Sequence, residues 1–107
     1  MTMQLSSDLM DGLVLALLSK EDLYGYSLTK QVQERFAVSE STMYPVLRRL
    51  KKRDWVTTYD EPFEGRNRRY YSISDLGYKE MTRIQDEWRD FSRKINDLML
   101  EGDANGK

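Results

Sequence analysis

The sequence predicts a mainly α-helical fold with one small β-hairpin, in the order helix, helix, helix, strand, loop, strand, long helix. Three observations predict it. Apolar residues recur at three- and four-residue spacing in three short stretches of the first half. One run, residues 55–59, is rich in aromatic and β-branched residues instead. Beyond residue 75, large apolar residues return every three or four positions almost to the end of the chain.

The first helix is expected over residues 7–19. Ser7 or Asp8 can cap it, and Leu9, Leu13, Ala16 and Leu17 fall at helical spacing. Residues 20–22 form a polar connection. The second helix is expected over residues 24–36, with Leu28, Val32 and Phe36 four apart, and Gly25 near its start permits close backbone approach. A turn at residues 37–39 leads to a third helix over residues 41–53, capped by Ser39 or Ser41, with Met43, Val46, Leu47 and Leu50 as its buried stripe. Pro45 fits this helix if Ser41 is the cap, because its missing N–H then lies in the first turn. Residues 55–59 read as a strand, residues 60–67 with Pro62 and Gly65 as a loop, and residues 68–73 as the return strand. Tyr71 and Ile73 should face the helices and Tyr70 the outside. Ser74 caps a fourth helix over residues 75–100.

Three helices followed by a β-hairpin make the winged helix-turn-helix arrangement. Residues 1–74 are thus expected to be a winged helix-turn-helix DNA-binding domain. Residues 75–100 would be a C-terminal dimerisation helix, and residues 101–107 a flexible tail.

Composition narrows the chemistry. The 107 residues contain no cysteine and no histidine, which excludes thiol redox chemistry, Cys or His metal ligation and His-based acid–base catalysis. There is also no Gly-rich phosphate loop and no pair of carboxylates in an apolar setting, so an enzyme is not expected, nor a cofactor. The longest apolar run, Leu13 to Leu18, is six residues, far below the roughly 20 of a membrane span. No signal peptide is read at the N-terminus, and a cytoplasmic location is expected. Net charge is -1, but residues 40–74 carry 8 basic and 5 acidic side chains, while the flanking segments are each net acidic. A nucleic acid meets a local patch rather than the global sum.

That patch falls on the third helix and the hairpin. Opposite the buried stripe lie Ser41, Pro45, Arg48 and Lys52, flanked by Tyr44 and Arg49. Ser41 and Thr42 can bond a phosphate or a base edge near the helix N-terminus, where the helix dipole also attracts phosphate. Arg48 and Arg49 can pair bidentately with guanine or phosphate. The bland alternative is a solvated helix end, since cations there favour the C-terminal dipole. The hairpin adds Arg66, Arg68 and Arg69 after Gly65, suited to a minor groove or a phosphate run. Asp60, Glu61 and Glu64 share that loop and should face away from a duplex or limit its affinity.

Three segments in this order, Tyr24-Gly25-Tyr26, then residues 42–50 (TMYPVLRRL), then residues 69–77 (RYYSISDLG), resemble the PadR family of bacterial regulators. The resemblance implies a winged-helix dimer that represses a promoter and, in some members, is released by small aromatic compounds or planar drugs. Two departures stand out. Trp55 occupies a position where the family mostly has Gly or a small residue, and Ser74 one where Thr is usual.

On the fourth helix, Met81, Ile84, Trp88, Phe91, Ile95 and Leu98 are spaced 3, 4, 3, 4 and 3, an a/d seam that needs a partner. A second copy is the simplest one, so a homodimer is expected. The alternatives are a helix folded back on its own domain, or the first helix of one subunit packed on the fourth helix of the other. Trp88 is too large for a tight two-helix seam, and two such indoles leave a stack or a slot for a planar aromatic or cationic guest. Multidrug-sensing members of the family are similar in carrying a tryptophan at the corresponding point, here eleven residues after Gly77. Leu9, Gly12 and Phe91 are the expected neighbours of such a guest, Gly12 by leaving room; Trp88 as plain interface core is the competing reading. The expected partners are double-stranded DNA, a second copy and a planar aromatic small molecule, with no membrane. The function expected is a dimeric, ligand-responsive repressor. The alternative is a winged-helix protein-interaction module without DNA binding.

Overall fold

A computed structural model describes residues 3–100. The elements are α1 (Ser7–Leu18), β1 (Leu23–Tyr24), α2 (Gly25–Gln33), α3 (Glu40–Lys52), β2 (Val56–Phe63), β3 (Arg66–Ile73) and α4 (Asp75–Met99). The expected tail, residues 101–107, lies outside the described residues.

Helix α1 is apolar on nearly every side, so its periodicity does not choose a face. Ser6 caps it, accepting the Leu9 N–H at 3.2 Å, in place of the expected Ser7 or Asp8. The buried side chains are Met10, Asp11, Val14, Leu15 and Leu18. The expected stripe of Leu9, Leu13, Ala16 and Leu17 is only half-buried. Helix α2 ends three residues early, and Phe36 lies beyond it, 37% exposed.

Helix α3 buries Met43, Val46, Leu47 and Leu50, as its spacing predicts. Its cap is Ser39, whose Oγ accepts the Thr42 N–H at 3.2 Å. Pro45 therefore stands in the second turn, not the first, and the Ser41 carbonyl has no backbone donor four residues on. Both residues are exposed, so water can satisfy that carbonyl. The helix ends at Arg53, and Asp54 follows with a left-handed φ of 62°. The position that favours glycine is thus Asp54, one residue before Trp55.

The hairpin is longer and tighter than its composition suggested. Residues 60–63 and 66–67, expected as loop, continue the strands from Val56↔Ile73 to Phe63↔Arg66. Only Glu64 and Gly65 turn, with φ of 50° and 81°, as a two-residue turn of the I′ kind requires. Two features let charged residues and a proline enter a ladder. Opposite charges face each other at Asp60↔Arg69 and Glu61↔Arg68. Pro62 sits on the edge strand, next to the hydrogen-bonded pair that flanks the turn, so its missing N–H points outward. Strand β1, where the sequence predicts only the start of a helix at Tyr24, pairs with β3 through Leu23↔Tyr71 and Tyr24↔Tyr70. The sheet order is β1-β3-β2.

Ser74 caps α4 as expected, accepting the Gly77 N–H at 3.0 Å. Gly77 lies against the backbone of Trp55, where an added Cβ would stand 2.1 Å from the Trp55 carbonyl oxygen. The core continues into this helix: Ile84 is 6% exposed and Met81 packs beside it, both against the helices of their own chain. Beyond Ile84 the helix projects. The Cα radius of gyration is 16.4 Å, against about 13 Å for a compact domain of 100 residues. Ion pairs along its surface, Arg83 with Glu80 and Glu87, Arg89 with Asp86, and Asp90 with Arg93 and Lys94, support the projecting turns.

Candidate nucleic-acid interface and apolar groove

The capped start of α3 gathers hydroxyls. Ser39 Oγ lies 2.8 Å from Ser41 Oγ and 3.1 Å from Thr42 Oγ1, all exposed. Along the same face Tyr44, Pro45, Arg48 and Lys52 are exposed. Arg48, Lys52 and Arg66 make no ion pair among the described residues, so their charges are free to meet a phosphate or a base.

Arg49 is placed differently. It turns back to α1 and pairs with the buried carboxylate of Asp11, which Arg53 also approaches at 3.7 Å. Arg49, expected at the DNA face, has its guanidinium engaged with a buried acid in this structure. No apolar periodicity flags Asp11. Its only sequence signal is an acid inside an otherwise apolar helix.

The wing arginines divide in the same way. Arg66 stands free beside the turn. Arg68 is half-buried, with its guanidinium 3.6 Å from the ring centre of Phe63 and 4.2 Å from that of Tyr24. Arg69 pairs across the strands with Asp60 at 3.3 Å. Of the two expectations for Asp60, facing away from a duplex or limiting its affinity, its pairing with Arg69 is compatible with the second. Tyr71 and Ile73 pack inward and Tyr70 lies on the opposite face, in a row with Tyr24 and Tyr59 at ring-centre distances of 5.7 and 5.5 Å. The Tyr59 hydroxyl donates to Asp22 at 2.7 Å, and that bond to a carboxylate pushes the phenol up to about 12. Burial pushes the Tyr71 phenol up too, while the charges of Arg69 and Arg48 pull it down.

Between the start of α2, Tyr44 of α3 and the wing lies an open cleft of about 680 Å³. Tyr24, Tyr26, Tyr44 and Tyr71 line it with Arg66, Arg68 and Arg69. Aromatic faces and guanidinium groups on one concave surface suit a sugar–phosphate backbone.

A second groove, about 370 Å³, opens between α1 and α4. Leu9, Ile84, Trp88 and Phe91 form its apolar floor, and Asp8, Glu87 and Asp90 stand on its rim with Lys94. Trp88 is 46% exposed, its ring centre 6.3 Å from that of Phe91. Gly12 does not line this groove. The space beside it is taken by Ile84, whose Cγ2 would stand 2.7 Å from an added Cβ. Of the expected seam, Ile84 and Met81 are covered within the chain, Ile95 is half-buried, and Trp88, Phe91 and Leu98 are exposed.

The profile of the family described as "Transcriptional regulator PadR-like family" matches residues 14–83. An uncharacterised protein of Lysinibacillus sphaericus is 32% identical over 98 residues, covering 87% of this chain and 89% of that protein. Among solved structures, the smu.1704 protein of Streptococcus mutans superposes with a TM-score of 0.87 at 31% identity, covering 98% of this chain and 99% of that one. A PadR family transcription regulator of Clostridium difficile does so with 0.77 at 32% identity, covering 84% and 97%. A PadR-like transcriptional regulator of Bacillus cereus gives 0.79 at 30%, covering 89% and 94%.

Proposed function

This chain belongs to the PadR-like family of transcriptional regulators, and we propose that it acts as a homodimeric repressor which reads a specific DNA duplex through α3 and the wing. Members of the family are regulators rather than enzymes, and no described helix is long and apolar enough to cross a membrane. In this reading the protein works in the cytoplasm, residues 1–74 read the duplex, and residues 75–100 join the two subunits.

The observation that carries the reading is the exposed α3 face of Ser41, Thr42, Tyr44, Pro45, Arg48 and Lys52 beside the wing-tip Arg66, with three cations free of ion pairs among the described residues. Arg48 is assigned to the major groove and Arg66 to the groove or phosphates under the wing. The half-exposed side of α1 and the projecting part of α4, with Phe91, Ile95 and Leu98, supply apolar surface for the second subunit. A twofold dimer would then meet two half-sites about one helical turn apart.

The groove at Leu9, Trp88 and Phe91 takes a planar aromatic ligand in this reading. Of the acids on its rim, Glu87 and Asp90 are paired with Arg83 and with Arg93 and Lys94, which leaves Asp8 without an ion pair among the described residues to favour a cationic one. Occupation changes DNA affinity only by the ligand's differential affinity for two subunit arrangements.

The test is selection of duplexes from a random pool, followed by titration over a range of salt. Arg48→Ala and Arg66→Ala are each expected to weaken binding, and loss of a phosphate contact flattens the salt slope by about one. A protein that binds no duplex even at low salt is an interaction module instead. Quenching of Trp88 by a flat cationic dye, compared in Trp88→Ala and Trp55→Phe, tests the groove; equal dye affinity in wild type and Trp88→Ala rejects it.

A further inference from the structure

We propose that Asp11 is a positioning residue for the recognition helix α3, and that Asp11 and Gly12 together make α1 the link between α4 and α3. The inference rests on the DNA-binding reading above and deepens it. Asp11 is the only buried carboxylate among the described residues. A carboxylate withdrawn from water is costly unless paired, and breaking such a pair costs more than the pair contributes. Both partners come from the end of α3: Arg49 on Oδ1 and Arg53, 3.7 Å from Oδ2. Arg53 also lies over the Trp55 ring, 5.1 Å from its centre. The pair thus fixes the rotation of α3 about its axis and keeps Arg49 away from a duplex, leaving Arg48 one residue earlier to face it.

The next residue of α1 makes the second grip. Gly12 lets Ile84 of α4 approach to 2.7 Å from where a Cβ would be. Successive residues of a helix point about 100° apart, so two neighbouring positions on α1 hold two different helices. One turn away, Leu9 lines the groove with Trp88 and Phe91. A shift of α4 reaches the recognition helix through a single turn of α1.

The probe is the duplex that the wild-type chain enriches from a random pool, with a scrambled duplex of equal length as reference. Asp11→Asn keeps the shape and removes the charge. Its affinity for the enriched duplex is expected to fall about tenfold, while its binding to the scrambled duplex strengthens and the salt slope steepens by about one, because Arg49 is released to a phosphate. Equal weakening on both duplexes with unchanged slopes marks a merely structural role and overturns the proposal, as does binding identical to wild type. If Asp11→Asn does not fold, the double variant Asp11→Asn, Arg49→Met removes both charges of the Asp11–Arg49 pair, and the half-exposed Arg53 keeps its charge in contact with water. It is expected to keep the wild-type salt slope with weaker discrimination; a slope flatter by about one would place Arg49 on the DNA and overturn the proposal. If the wild-type chain enriches no duplex, the DNA-binding reading falls and this inference with it, whereas unchanged Asp11→Asn binding removes this inference alone.

Discussion

Replacing Gly77 by alanine tests how α4 is docked. Gly77 is the third residue of α4, its N–H held by Ser74 Oγ. An added Cβ would stand 2.1 Å from the Trp55 carbonyl oxygen and 2.8 Å from Cγ1 of Ile73. Carbon and carbonyl oxygen rest at about 3.3 Å, so the two backbones must part by roughly 1 Å. The oxygen cannot swing aside freely, because it also accepts the Ser74 N–H at 3.0 Å. Overpacking of this kind costs about 1–3 kcal/mol, and losing the Ser74 bond adds about 1 kcal/mol. Alanine returns about 1 kcal/mol of helix propensity. The net expectation is a destabilisation of about 1–3 kcal/mol. Urea denaturation of the full chain, followed by helical circular dichroism at one fixed protein concentration, reads it directly. A Gly77→Ala midpoint equal to or above that of wild type refutes the reasoning. Gly12→Ala is a second close approach: the added Cβ would stand 2.7 Å from Cγ2 of the buried, β-branched Ile84, which has little rotamer freedom in a helix, so this variant should destabilise as well.

Three further outcomes follow from named contacts. Phe91→Lys with Leu98→Lys places charge on the exposed part of α4, and the sedimenting mass should drop from dimer to monomer while the helical signal stays; an unchanged mass rejects the seam. Arg68→Ala should weaken duplex binding by loosening the wing, at about 1 kcal/mol for the lost stacking on Phe63 and Tyr24, with the salt slope unaltered; a slope flatter by about one would make Arg68 a phosphate contact. Asp54→Gly relieves a left-handed residue and should stabilise by about 0.5–1 kcal/mol in the same urea assay; a lower midpoint would mean that the Asp54 side chain contributes more than its backbone conformation costs.

The fold was legible where one periodicity dominates. Met43, Val46, Leu47 and Leu50 on α3 face inward as their spacing requires, and Ser74 caps α4. On α1 the phase slipped, because Leu13 to Leu18 is apolar on all sides and burial is decided by α3 and α4, not by the helix itself. Strand β1 is two residues long and exists only through its pairing with β3, which no local signal announces. The hairpin is longer than its local signals because charges and Pro62 look like loop residues; the cross-strand partners Asp60↔Arg69 and Glu61↔Arg68 make them compatible with a ladder. At the candidate interface, residue types announced a basic face but not which cations are already engaged. Arg49, Arg68 and Arg69 look alike in sequence to Arg48 and Arg66. Asp11, Phe63, Tyr24 and Asp60, distant in sequence or across a turn, separate them.

The shortness of β1 has a consequence for solubility. It covers β3 only at Tyr70 and Tyr71, so the stretch from Arg66 to Arg69 keeps one edge of the central strand open. An open edge is a template for a strand from another molecule. Charged side chains blunt such an edge, and three arginines in four residues supply them, with Asp60 and Glu61 across the hairpin offsetting Arg69 and Arg68. Stripping all three charges at once would remove this guard together with the DNA contact proposed for Arg66. A triple alanine variant is therefore expected to aggregate, and the wing is better mapped one arginine at a time.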